Sequence, residues 1–249
     1  MKHLYFFLIV SFCSSLLSCT NDDSFLAHDF ETQQNRALSI YTGNYNIYQI
    51  AKKVSLPSAS TTKLNSVITN CCNDYPVIKW LHNYAKDKKY NFSDVNITSK
   101  GMNGNPAAYD HSTKILSFLT SNAINNTTYP EEFIHMNQDN VYFGGIGTYE
   151  KTAMLNIEFE SKFIQDVIHA PYGTQLVGSG NKYYNSYINW MYSFNPTSSF
   201  ANFTAVESGY NNISWWQFAQ DFKESSPSPY KDYVMSNVLV AKLIDIIGN

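Results

Sequence analysis

The chain has 249 residues, with 17 basic and 20 acidic side chains and a formal net charge of −3. It therefore lacks the basic excess that a nucleic-acid surface requires, and no nucleic-acid partner is expected. Its 19 Tyr, 16 Phe and 4 Trp are more than a small core needs, and they suit either ordinary aromatic packing or a surface that stacks on sugars or peptides.

At the N-terminus, Lys2 precedes an apolar run from Leu4 to Val10 that continues through Phe12 to Leu17. It is too short for a membrane span and has the make-up of a signal peptide. The following Leu16-Leu17-Ser18-Cys19 resembles a bacterial lipobox, which implies cleavage before Cys19 and a lipid on its thiol; an ordinary secretory signal is the alternative. Thr20-Asn21-Asp22-Asp23 resembles the acidic tether of surface-exposed Bacteroidetes lipoproteins. The expected organisation is a signal over residues 1–18, a flexible tether over 19–35 and one globular domain over 36–249, held to the outer membrane by the lipid at Cys19. Of the other cysteines, Cys13 leaves with the signal, and the neighbours Cys71 and Cys72 read as buried thiols on a helix.

Ile47, Ile50, Ala51 and Val54 recur at helical spacing until Leu56-Pro57-Ser58 breaks the run. Further helices are expected over Thr62 to Cys71 and over Pro76 to Tyr84, where His82 reads as a structural histidine. Val95 to Thr98 alternates like a strand, and a turn-rich loop follows over residues 100–106. Ala107 to Thr120 reads as strand, turn, strand, with Asp110-His111 at the turn and His111 in solvent.

A helix should begin near Thr128-Tyr129-Pro130. At about 100° per residue, Glu131, His135 and Gln138 share one narrow sector of it, Glu132 lies at the sector's edge, and Phe133 and Met136 point the other way. Residues 139–148, with Gly144, Gly145 and Gly147, form a link that could carry a strand through Val141-Tyr142-Phe143; they have no phosphate-loop ending.

The next helix places Leu155, Ile157, Phe159, Phe163, Ile164, Val167 and Ile168 on a broad apolar arc, opposite a polar stripe of Glu158, Ser161, Lys162, Gln165 and His169. Glu160 stands inside the apolar arc, with Asn156 one turn before it. A buried carboxylate needs a partner, since leaving it alone costs several kcal/mol. The Glu131/His135 face is the nearest expected one.

Glu131-Glu132-Phe133-Ile134-His135 resembles the His-Glu-x-x-His helix of the zincin metallopeptidases, in particular the gluzincins, whose third metal ligand is a Glu on a later helix. The resemblance covers roughly residues 105–170 and implies an α+β, zincin-like domain, mostly helical, with a small sheet before the active-site-type helix. It implies a divalent metal on Glu131, His135 and Glu160, with Glu132 as the base that activates water and Gln138, Asn156 and Glu158 behind the ligands. Glu158 is the alternative third ligand. Glu131 stands where the family has its first histidine, and a site of two carboxylates and one imidazole shifts the preference from zinc toward manganese, iron or magnesium.

Three functions stay open: a metal-dependent peptide hydrolase, an inactive descendant of one, and a non-catalytic surface lipoprotein that binds glycan or peptide through aromatic loops. Acidic residues also suit the positive end of a helix with no metal at all, which is a second reading of Glu131 and Glu132. Glu132-x-x-His135 and Asp166-x-x-His169 also fit a di-iron helix pair, although the strand region argues against a four-helix bundle. Beyond Pro171 the chain reads as irregular to about Phe200, of a length that suits a lid. Helices are expected over Phe200 to Ser208, Ser214 to Ser225 and Tyr230 to Ile247.

Overall fold

The computed structural model describes residues 45–149, 152–169, 182–193, 209–225, 233–234 and 242–248. All of them belong to one compact unit, Asn44–Asn249. The expected signal, the tether, Cys19 and the helix over residues 200–208 lie outside the described residues. Seven α-helices and a three-stranded sheet are present among them, an α+β arrangement.

Helix α1 (Ser58–Asp74) turns Leu64, Val67, Ile68, Cys71 and Cys72 inward at three- and four-residue steps. It stops at Tyr75, which is extended because Pro76 follows and clashes with a helical predecessor. Pro76 then opens α2 (Pro76–Lys88), where a missing N–H costs nothing. On α2, His82 is fully buried, with its Nε2 2.9 Å from Gln49 Oε1. Burial pulls its pKa down to about 4.

The run over residues 47–54 is not an α-helix. A single 3-10 turn (Ile47–Gln49) leads into extended chain beside the sheet, where Lys52 N–H donates to Phe92 O and Phe92 N–H to Ile50 O. The spacing of Ile47, Ile50, Ala51 and Val54 fits a helix, but pairing overrides it: Val95 N–H donates to Lys53 O and Ser55 N–H to Val95 O.

The sheet has the order β1-β3-β2, from β1 (Asp94–Ile97), β2 (Ala107–Asp110) and β3 (Ile115–Phe118). β1 runs parallel to β3, and β2 is antiparallel to it. Asp110 organises the hairpin turn by accepting from the backbone N–H of Ser112 and of Thr113. His111 is not in open solvent: a Cβ on Gly147 would lie 2.5 Å from its ring, so the later glycine loop packs against it.

Helix α3 (Thr128–Val141) lies across β2 and packs on α4 (Met154–His169). Its start is tied by Asn125, whose Oδ1 accepts from the N–H groups of Thr127 and Thr128. No strand follows: Tyr142 ends the helix, and Gly144 and Gly145 turn the chain at positive φ. The stretch expected to be irregular contains α5 (Tyr184–Ser193). Helices α6 (Trp215–Ser225) and α7 (Lys242–Gly248) close the described chain.

Much of the aromatic surplus is core. Phe159 and Phe163 of α4 meet Tyr187 and Trp190 of α5 and Trp215 of α6 in tilted and edge-on contacts, while Trp190 stacks on Phe218 at 4.7 Å. Phe143, Tyr48, Tyr192 and Trp216 are exposed.

Candidate functional site: a buried carboxylate and histidine cluster between two helices

Where α3 crosses α4, the polar sector of the first meets the polar stripe of the second. The stripe does not face solvent: Ser161 and Gln165 are fully buried and His169 nearly so. At this crossing lie Glu131, Glu132 and His135 from α3 and Glu158 and Lys162 from α4.

Glu131 is held by Lys162, whose Nζ donates to its Oε1. Burial pushes the Glu131 carboxyl up, but Lys162 and then His135 outweigh that and leave it below the usual carboxylate range. Lys162 is affected in turn: burial opposes its charge, and Glu131 more than restores it.

Glu132 turns toward the sheet and accepts the Tyr109 N–H of the outer edge of β2 at 2.6 Å. Its carboxylate thus closes a strand edge that would otherwise be open. Burial raises its pKa to about 7 despite the nearby His135.

His135 shows its tautomer through its neighbour. Gln138 Nε2 donates both to Ile157 O at 2.9 Å and to Glu160 Oε2 at 2.7 Å, so Gln138 Oε1 is left to accept from His135 Nδ1–H at 2.8 Å. The other ring nitrogen, Nε2, lies 4.0 Å from Glu158 Oε2. Burial works against a charge on His135, but Glu158, Glu132 and Glu131 together hold its pKa above the ordinary value. Burial also raises the Glu158 carboxyl, against the pull of His135.

Glu160 is fully buried, as its place in the apolar arc implies. Its partners lie elsewhere. It accepts from Gln138 Nε2 and from Tyr142 O–H, each at 2.7 Å, and from the Ile244 N–H of α7 at 2.9 Å. Tyr142 O–H in turn accepts from Lys242 N–H at 3.1 Å. Burial still keeps the Glu160 carboxyl above its usual range. Glu160 therefore docks the last helix and touches His135 only through Gln138. Asn156 is buried one turn before it.

Among the described residues, no three His, Cys, Asp or Glu side chains come together in a way that could hold a metal ion. Of the expected ligands, Glu131 is occupied by an ammonium, Glu160 is filled by neutral donors, and His135 stands beside Glu158 instead. Two ligands on one tetrahedral zinc, each at about 2.0–2.2 Å, sit roughly 3.3–3.5 Å apart, closer than the 4.0 Å between His135 and Glu158. The donor set as arranged does not fit the implied metal. Nor does the second di-iron pair form, because Asp166 accepts from Tyr187 O–H at 2.7 Å and His169 packs edge-on against Tyr75.

Sequence reasoning passed over Lys162, Tyr142 and Asp139. Lys162 had a legible signal, since it lies one turn beyond Glu158 in a stripe that had to meet Glu131. Asp139 had none: it gathers Lys114 Nζ, Tyr109 O–H at 2.7 Å and Ile146 N–H at 2.9 Å, tying hairpin, helix and glycine loop together.

No protein-family model matches the chain, and comparison with curated proteins and with solved structures likewise yields no match. No described helix is long and apolar enough to cross a membrane.

Proposed function

We propose that this chain is a lipid-anchored cell-envelope protein whose zincin-like domain has given up metallopeptidase chemistry and serves as a non-catalytic binding module for peptide or glycan. One observation carries the reading: Glu131, at the position of the first ligand histidine, is taken by Lys162. A cation ligated there would have to displace a partly buried ammonium and break that pair, which costs about 3–5 kcal/mol when one partner is left behind. The zincin-like reading of the scaffold is supported by the order of its parts, a hairpin with an edge strand followed by the motif helix lying across it. Anchoring at Cys19 and outer-membrane location rest on the lipobox resemblance, and metabolic labelling with palmitate that is lost in Cys19→Ala tests them.

The rival is a metal-dependent peptide hydrolase with Glu131, His135 and Glu160 as ligands and Glu132 as base. Its support is Glu132, raised to about 7 and therefore suited to exchange protons near neutrality. The two separate on a peptide-hydrolysis assay of protein purified without chelator, with zinc or manganese supplied. The binding reading expects no turnover, and ligand capture on peptide and glycan arrays that survives Glu132→Gln and weakens in Phe143→Ala or Trp216→Ala, at two exposed aromatics. Turnover abolished by Glu132→Gln would establish the hydrolase.

A further inference from the structure

Charge is spread unevenly over this chain. Residues 45–106 hold eight lysines, and their only acids are Asp74, Asp87 and Asp94, whereas the described residues from 107 onward hold ten acids and five lysines. The fold gathers the first set further. Lys86 and Lys88 lie in the last turn of α2, and Lys89 ends it. Tyr90 N–H then donates to Ala85 O, and Phe92 pairs with the chain at Ile50 and Lys52, so Lys52 comes up beside the end of α2. Lys79 precedes Lys86 by two turns on the same flank of the helix. All five lysines are exposed, Asp87 is the one acid of α2, and among the described residues none of the five has a carboxylate partner. The helix dipole accounts for Lys86 and Lys88 near its C-terminus, but not for Lys52 on another element or for Lys79 in the first turn, where a cation is disfavoured.

The described chain enters the fold at this same corner. The Tyr45 ring lies 5.3 Å from that of His82, one turn before Lys86, Gln49 bonds the same histidine, and Tyr48 between them is 64% exposed. Lys88 lies over the Tyr84 ring at 5.8 Å. Tyrosine and lysine together suit a membrane–water boundary, with an apolar body and a polar tip.

We infer that Lys52, Lys79, Lys86, Lys88 and Lys89, with Tyr48, form a docking surface for an anionic lipid bilayer. An anchor at Cys19 would join the fold through Tyr45, at this corner, and a lipid and a basic patch reinforce each other. An acidic polysaccharide shares the charge but has no tie to the place where the anchor joins. Each lysine at an anionic surface strengthens binding about five-fold, and salt screens the attraction.

The test is co-sedimentation of the chain from residue 20, which lacks the lipid site and keeps every described residue, with vesicles of phosphatidylglycerol and phosphatidylethanolamine or of phosphatidylcholine alone. Binding is expected to the anionic vesicles only and to weaken as salt is raised. Lys86→Gln/Lys88→Gln/Lys89→Gln should weaken it about 100-fold, and Lys182→Gln/Lys223→Gln, at lysines of the acid-rich part, should leave it unchanged. No binding to anionic vesicles, equal loss in the two variants, or binding to a soluble acidic polysaccharide in place of vesicles would overturn the inference. It rests on the anchored reading only for how the corner reaches a membrane. Vesicle binding without palmitate labelling of wild type overturns the anchor alone, and labelling without vesicle binding overturns this inference alone.

Discussion

Glu160 and Glu132 are both buried carboxylates, yet they do different work. Glu160 accepts from Gln138 Nε2, Tyr142 O–H and Ile244 N–H, with the Leu243 N–H also acting on it, so its loss strands buried donors. Glu160→Leu is expected to cost about 3–5 kcal/mol in urea unfolding, whereas Glu160→Gln, which keeps one carbonyl acceptor, costs about 1–2 kcal/mol. Glu132 instead links folding to pH. Its carboxyl rises from 4.5 to about 7 on folding, so the native state holds a proton that the unfolded chain has already released, and stability falls as pH climbs through that window. His135 acts in the same direction, because a histidine held above 6.5 contributes stability below that value and loses it as pH rises through its folded pKa. At roughly 1.4 kcal/mol per pKa unit, the Glu132 part is on the order of 3 kcal/mol. His82 and His169, whose pKa values burial lowers, act in the opposite sense, so the Glu132 part is read as a difference. In chemical denaturation at pH 5 and at pH 7.5, the change in stability should be shifted toward the lower pH in wild type relative to Glu132→Gln. An unchanged difference would remove the linkage.

Among the elements, α7 is short and depends on others for its place. Its first N–H groups point at Tyr142 O–H and at Glu160, so a buried carboxyl and a hydroxyl complete the start of a helix seven residues long. Tyr142→Phe removes one hydrogen bond from each of these partners. Hydrogen exchange at Lys242, Leu243 and Ile244 should then quicken by about 5–30-fold, corresponding to about 1–2 kcal/mol, with α3 and α4 protected as before. Equal acceleration across α3 and α4 would mean that α7 does not open on its own. The glycine loop is held just as specifically. Gly145 sits at φ +80°, and a Cβ there would come within 2.6 Å of Asp139 Oδ1. Gly145→Ala is therefore expected to destabilise by about 1–3 kcal/mol, seen as a lowered urea midpoint.

For the molecule as a whole, the acids between α3 and α4 have their own positive partners in Lys162 and His135, so the fold should not depend on an added ion. The melting temperature of wild type should be unchanged by EDTA and by excess zinc. An ion that bound only the native chain at 100 times its Kd would add about 2.7 kcal/mol and several degrees. A fall of that size on adding EDTA would instead point to a resident ion. Aromatic packing of α4 against α5 and α6 supplies much of the core, and the polar crossing on the other side of α4 adds little apolar burial.

The sequence by itself determined what depends on neighbours a few residues apart. Helical periodicity located α1, α2, α3, α4 and α6, alternation located β1, apolar runs about a turn located the hairpin, and the break in amphipathicity at Glu160 marked a buried acid. It also placed Glu131, His135 and Gln138 on one face, since that follows from the helix turn alone. What only the tertiary structure decided is which faces meet. Residues 47–54 had helical spacing, yet pairing with Phe92 and Val95 held the chain extended there, and the stripe of Glu158, Lys162 and Gln165 turned inward because α3 brought acids to meet it. Glu160 was completed by α7, 84 residues away. Period and propensity record how a segment folds on its own; the partner of a buried charge is set by contacts between segments far apart in sequence, and no local pattern carries that information.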